Sequence, residues 1–194
     1  MGKIRNLRED EIECKVSSID EKGLQLLLYK TARTDKAILD EVYGEDGWWN
    51  EFEEIKGNLY CSIYVWSEGK KQWIKKQDCG VESAFGDKEK GEASDAFKRA
   101  RFQSTVFGTE LYTPIFIYVP YKDKNGKENF VLKQDNKTGK YKTYTKFNVE
   151  KIDTSDDKVI KQISIVNDKG KRVFVKASPV KAEPKKEQKK EETK

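Results

Sequence analysis

The chain has 194 residues, of which 39 are basic and 34 acidic, and the net charge of +5 is too small by itself to establish a polyanionic partner. It contains no histidine, which removes the commonest general base, the usual catalytic triads and most zinc sites. Its three cysteines are odd in number and have no CxxC spacing, so reduced thiols are favoured over a disulfide framework. We therefore expect a protein that is not an enzyme and that uses no cofactor or metal.

The sequence also bears on compartment and organisation. The N-terminal segment lacks the apolar run of a signal peptide, and no stretch approaches the roughly 18 apolar residues of a membrane span, so we expect a soluble, cytoplasmic protein with no membrane partner. Although 38% of the residues are charged, four Trp, nine Tyr and nine Phe supply bulky groups for a core. The predicted parts are an N-terminal arm or short strand at 1–22, a core domain at 23–120, a β-rich extension at 121–178 and a disordered Lys/Glu-rich tail at 179–194.

A short helix and a hairpin are the first clear elements along the chain. Apolar residues at helical spacing predict a helix from residue 33 to 43, capped by Thr34 and stopped by Gly44. Trp48 follows a Gly-containing turn and is expected in the core. Alternating apolar and polar residues predict a strand at 59–66, which a turn joins to a second strand at 72–77.

Glu53, Glu54 and Lys56 precede this hairpin and are similar to the E-x-K element of some metal-dependent nucleases. No upstream strand supplies the matching aspartate. A solvated, charged turn before a strand is the favoured interpretation, and a nuclease site is the least favoured functional alternative.

The most informative segment is a predicted helix at 92–107. Its core-facing sector contains Ala93, Ala96, Phe97, Ala100, Ser104 and Phe107. Lys98 lies nearly opposite that sector, with Arg99 and Arg101 on either side of Lys98. Phe102 falls among these cations. Such a face suits phosphates, and the aromatic ring could stack on a base or seal a subunit contact. On charge pattern alone, a merely solvated helix face is the commoner case.

The C-terminal part is predicted to be β-rich. Residues 115–119 form a strand-like apolar run, and lysine-rich turns follow, with Tyr141, Tyr144 and Phe147 between them. This mixture fits nucleic-acid contact but is more typical of an exposed β-ribbon. A final hairpin is predicted from strands at 159–166 and 171–176.

Three sequence blocks, in order, carry a resemblance that spans residues 24–112. The blocks are Tyr29 with 37–41 and the G-x-x-G-W turn at 44–48, then the hairpin ending in Asp78-Cys79-Gly80, then Gly91-Glu-Ala-Ser-Asp-Ala-Phe-Lys-Arg-Ala100 with Gly108 and Leu111-Tyr112. Together they resemble the Rad-fifty-two superfamily of single-strand annealing proteins, and most closely its phage or prophage members.

The resemblance implies a fold, an activity and partners. The fold would be α+β, with an antiparallel β-sheet and hairpins packed on a long helix, and subunits would assemble into an oligomeric ring or filament. The protein would bind single-stranded DNA and promote annealing of complementary strands in recombination and repair, in the cytoplasm of a bacterial host if phage-encoded. Candidate partners in such systems are a single-stranded DNA-binding protein and an exonuclease. The alternative is an oligomeric adaptor or loader that binds single strands without annealing them.

Carried over by position, the resemblance implies that Lys98 and Arg99 bind DNA, together with Tyr29. Eukaryotic members place a second helix arginine where this chain has Phe102, whereas Arg101 sits one residue earlier, so both positions are candidates. The basic residues close to matched positions are Lys30, Arg33 and Lys90.

Overall fold

Antiparallel sheets and two helices make up the computed structural model, which describes residues 4–81, 88–102, 115–155 and 159–176. The helices are α1 (Ala32–Tyr43) and α2 (Lys88–Phe102). The strands are β1 (Glu13–Ile19), β2 (Gly23–Tyr29), β3 (Trp48–Ile55), β4 (Asn58–Ser67), β5 (Gln72–Cys79), β6 (Ile117–Pro120), β7 (Lys133–Gln134), β8 (Tyr141–Lys142), β9 (Phe147–Thr154), β10 (Ile160–Asn167) and β11 (Arg172–Lys176). The coarse α+β prediction is therefore confirmed, whereas the ring and the full length of the predicted helix stay predictions.

One six-stranded sheet is curled into a nearly closed barrel. Its strand order is β11-β10-β9-β1-β2-β6, and the edge strands β6 and β11 approach each other. β1 and β2 pair over most of their length, but β1 and β9 are joined at a single position, Glu13 opposite Asn148. The sheet is thus continuous, but the pairing between β1 and β9 is a weak seam.

Alternation along the strands sends apolar side chains into the barrel. The buried members are Leu24, Leu26, Ile117, Val119, Phe147, Val149, Ile163 and Ile165. The residues between them, such as Gln25 and Leu27 on β2, face outward. Each fully buried aliphatic or aromatic side chain contributes about 1.5–3 kcal/mol relative to exposure.

The second layer is a three-stranded sheet, β3-β4-β5, with α2 packed on one face. The buried side chains of α2 are Ala96, Phe97 and Ala100, and those of the facing strand are Cys61, Ile63 and Val65. Trp48, which was predicted for the core, is half-buried and meets the Phe97 ring edge-on at 6.2 Å. The predicted 59–66 and 72–77 hairpin is confirmed.

Several predicted boundaries change. Thr31, not Thr34, caps α1, because the Thr31 hydroxyl accepts the Thr34 backbone N–H; Gly44 ends the helix as predicted, with a φ of 74°. The helix predicted at 92–107 begins earlier, at Lys88. Residues 103–107 and the predicted tail at 179–194 lie outside the described residues.

The predicted division of the chain does not coincide with a division of the sheets. The segment 1–22 contributes β1, which lies in the middle of the barrel sheet between β2 and β9. The segment 121–178 supplies β9, β10 and β11 to the same sheet, and β9 begins in the lysine-rich stretch that was interpreted as an exposed β-ribbon. The final hairpin, by contrast, is confirmed as β10 and β11.

An arginine network attaches the N-terminal segment to α1. The Arg5 guanidinium donates to both carboxylate oxygens of Glu11, at 2.8 and 2.7 Å, and to both of Glu41, at 2.7 and 3.0 Å. Glu11 belongs to a 3₁₀ turn, Glu9–Glu11, that leads into β1. The hydrogen bonds from Arg5 lower the pKa of Glu11 to about 2. The network therefore fixes the start of the central strand against the first helix.

This network predicts a defined acid sensitivity. The pKa of Glu11 is lower in the folded chain than its ordinary value of 4.5, so its contribution to stability is present above pH 4.5 and is lost as the pH falls towards about 2. We expect Glu11→Gln to lower the urea midpoint at neutral pH, with the difference from wild type shrinking across that window. Asp10→Asn is the control, because the Asp10 side chain is 82% exposed and should change little. A pH-independent difference would contradict this account.

Candidate nucleic-acid interface

A groove of about 1280 Å³ lies along the seam where β1 and β9 are joined only once. Residues of β1, the end of β2, the start of β9 and one helix residue, Lys98 of α2, line it. The seam explains the opening, because strands that separate after one pair leave space between their edges. The groove is thus a product of the barrel's incomplete pairing.

Tyr29 and Lys98 both line this groove although they belong to different sequence blocks. Tyr29 is the last residue of β2 and stands opposite Glu13 of β1. Lys98 directly follows Phe97, which is buried in the core. The packing of Phe97 therefore fixes the part of α2 from which the Lys98 side chain extends. Two of the predicted site residues are therefore brought together.

Two further lysines of the groove were missed by the sequence analysis. Lys15 stands opposite Leu27 in the β1–β2 ladder, and Lys146 immediately precedes β9. The signal for Lys15 is weak, because the segment 1–22 has no clean period that would define a strand. Lys146 falls in a lysine-rich stretch, and nothing local to the sequence indicates that it lies beside β1.

The groove is not uniformly basic. It contains three lysines, Lys15, Lys98 and Lys146, and three carboxylates, Glu9, Asp10 and Glu13. The carboxylates come first along the chain, and Lys15 follows further along β1, so the charge changes sign in that direction. A polyanion is therefore favoured beside the lysines and disfavoured near the 3₁₀ turn.

Tyr29 is held by one of these carboxylates. A hydrogen bond to Glu13, together with burial and the negative charge nearby, raises the pKa of Tyr29 to about 12. The phenol therefore stays protonated near neutral pH and donates to Glu13. Tyr29 as a whole is 37% exposed, so part of its surface remains open to a ligand.

Arg101 is buried, which corrects the expectation that it flanks a solvent-facing basic surface. It is 1% exposed, and its Nη1 lies 2.5 Å from Oδ1 of Asp35, which is fully buried in the first turn of α1. Phe97 and Arg101 are one helical turn apart, so Arg101 shares the core-facing side of α2. Its guanidinium joins the two helices and does not face solvent.

Lys30 belongs to the same cluster. Its Nζ lies 2.8 Å from Oδ1 of Asp35, and its side chain is only 14% exposed. The acidic group sits at the N-terminus of α1, where the helix dipole also favours a carboxylate. Asp35 therefore pairs with two cations, Lys30 next to the end of β2 and Arg101 on α2. The pair with Lys30 fixes the backbone next to Tyr29.

Three other predicted residues lie outside the groove lining: Arg33, Lys90 and Arg99. Arg99 turns towards β5, with its Nε 3.6 Å from Oδ1 of Asp78, and its side chain is 48% exposed. Arg33 and Lys90 are exposed, and neither is part of the lining that the described residues define. Phe102 ends α2, and its side chain lies outside the described part of the chain.

The residues of the nuclease alternative do not converge. Glu53 and Glu54 are successive residues of the strand β3, so their side chains point to opposite faces of the sheet. Lys56 lies in the following turn with a φ of 53°. Over the described ranges, no group of three His, Cys, Asp or Glu side chains is arranged to hold a metal ion.

Comparisons of the chain with protein-family models, curated proteins and solved structures gave no match. The resemblance to the Rad-fifty-two superfamily therefore stays a prediction that depends on the three sequence blocks. Neither helix in the described part of the chain has the length and apolar character needed to cross a membrane.

The buried cluster predicts a large, local stability effect. Asp35→Asn removes the carboxylate and leaves Arg101 buried without its counter-ion, so we expect a decrease of about 3–5 kcal/mol in the free energy of unfolding. The matched control is Asp40→Asn on the same helix. Asp40 is exposed and accepts the Trp48 indole N–H at 2.7 Å, an acceptor role that asparagine retains. Equal decreases in the two variants, measured by urea denaturation, would show that the ion pair contributes little.

Proposed function

We propose that this chain binds single-stranded DNA and promotes annealing of complementary strands in homologous recombination, without catalysing a covalent step. One observation carries the proposal: Tyr29 and Lys98, selected from separate blocks of the family pattern, line one groove. Lys15 and Lys146 add positive charge beside them. Lysines beside an exposed aromatic ring are the features with which many proteins hold a single strand.

Annealing requires little beyond lysines that bind phosphates and a surface that holds the strand. Lysines neutralise backbone phosphates and release counterions, which holds a strand extended. Because phosphate contacts carry no sequence information, specificity comes from Watson–Crick pairing with the second strand. The equal number of carboxylates and lysines in the groove predicts weak binding per subunit. Assembly into a ring or filament would raise the effective concentration of strand through neighbouring grooves.

In this proposal Arg99 also contacts DNA, but from a position outside the groove. Its half-exposed guanidinium faces β5, outside the groove lining. It would contact the strand where the backbone leaves the groove. The proposal leaves Arg101 out of the contact surface because this residue is buried against Asp35.

A second candidate of another class is a non-annealing adaptor. The mixed charge of the groove favours it, since moderate affinity is sufficient for protecting or loading a strand. It would bind single strands, or another recombination protein such as a single-stranded DNA-binding protein or an exonuclease, without accelerating pairing.

The decisive measurement is annealing of complementary oligonucleotides with the wild type and with Lys98→Ala plus Arg99→Ala. We expect the double variant to bind more weakly and to anneal more slowly at moderate salt. The slope of log affinity against log salt concentration should become shallower by about 0.7 for each phosphate that the variant no longer neutralises.

The control variant is Lys70→Ala plus Lys169→Ala, which removes the same charge from two exposed hairpin turns. It should anneal like the wild type. Unchanged binding and annealing in the Lys98/Arg99 variant would refute the site. Binding without faster pairing by the wild type would instead establish the adaptor.

A further inference from the structure

The outer surface of β2 and β6 exposes a row of large apolar side chains beside the groove. The exposed fractions are 50% for Leu27, 37% for Tyr29, 69% for Phe116 and 39% for Tyr118. Leu26 and Ile117 are paired and buried, so the next residues on both strands face the solvent side together. We call Leu27, Tyr29, Phe116 and Tyr118 the outer row.

The aromatic rings of the outer row are oriented by the backbone beneath them. Tyr118 lies over Gly23: a Cβ built on Gly23 would fall 2.5 and 2.6 Å from the Tyr118 hydroxyl oxygen and ring carbon. The Phe116 ring is parallel to it, with 2° between the planes and 6.4 Å between the centroids. Glycine at position 23 therefore lets one ring lie close to the sheet, and the second ring follows its plane.

The outer row is continuous with the groove. Leu27 and Tyr29 belong to both, and Lys15 stands opposite Leu27 on the neighbouring strand. Lysines thus border one side of an exposed aromatic surface. This combination of cations and open π-faces fits a ligand with phosphates on one edge and flat rings on the other.

A second aromatic surface offers a contrast. On the face of the three-stranded sheet remote from α2, Trp49 stacks on Tyr64 at 4.0 Å with 4° between the planes, and Glu51 accepts the Tyr64 hydroxyl. Each of those rings covers one face of the other, the Lys75 Nζ lies 5.6 Å from the centroid of the Tyr64 ring, and the Glu51 carboxylate opposes a polyanion beside them. The Phe116 and Tyr118 rings are also parallel, but their centroids are 6.4 Å apart instead of 4.0 Å, so the two rings overlap less and leave more of their faces open.

From this arrangement we infer that the outer row is a stacking surface for the bases of a single strand whose phosphates lie in the groove. The inference rests on the proposed function and adds how the bases are held. Stacking uses the faces of the bases, so their hydrogen-bonding edges stay open to a complementary strand. The surface would therefore order a strand for pairing without reading its sequence.

The test compares two oligonucleotides of equal length and charge, one of thymidine and one made of abasic sites. We expect the wild type to bind the thymidine strand more tightly by about tenfold for each stacked base. Phe116→Leu and, separately, Tyr118→Leu keep an apolar side chain but remove the π-face, and each should reduce this preference. Phe52→Leu is the matched control, since Phe52 is also exposed, at 45%, but lies on β3.

The outcomes separate the two proposals. If the wild type binds neither strand, the proposed function fails. If it binds both equally and Lys98→Ala weakens both, the groove stands and the stacking surface is refuted. If the Leu variants alter the oligomeric mass while the preference for thymidine persists, the outer row is a contact between copies and the inference is likewise overturned.

Discussion

The contact between Asp35 and Arg101 is the constraint on which the candidate site depends. A carboxylate and a guanidinium are buried together between α1 and α2, where each would be costly to desolvate alone. Lys30 joins them from the end of β2. The same cluster therefore fixes the strand that ends in Tyr29 and the helix that carries Lys98. The relative position of the two groove residues follows from an ion pair that touches neither of them.

The local elements could be predicted from sequence because their signals are local. Alternation in β4, helical spacing before Gly44 and the apolar sector of α2 each indicate one element without information from the rest of the chain. β1 and β9 could not be predicted in this way. β1 lacks a clean alternation, and the Phe147 and Val149 pattern that marks β9 lies in a lysine-rich stretch whose composition is typical of an exposed ribbon. Both strands are defined by tertiary pairing.

Arg101 shows why charge alone misassigns a site residue. A cluster of cations on a helix suggests a single solvent-facing surface, but neighbouring residues on a helix point in directions about 100° apart. Lys98, Arg99 and Arg101 accordingly reach the groove, the edge near Asp78 and the core. Arg101 is buried because it pairs with Asp35, which lies far from it in the sequence. In the part of the chain that the structure describes, three lysines share the groove with Tyr29, and two of them, Lys15 and Lys146, come from the segments flanking the predicted core.

The position of β1 also constrains the order in which the chain can fold. Asn6, just before this strand, donates to the Thr154 carbonyl oxygen across 148 residues of chain, at 3.4 Å. During synthesis the β1–β2 hairpin emerges well before β9, so one edge of β1 stays open until β9 has left the ribosome. Contacts of such long range slow folding, and an open strand edge invites pairing with other chains. The seam that forms the groove can therefore close only after β9 has been synthesised, and β10 and β11 must follow before the edge strands β6 and β11 can approach each other.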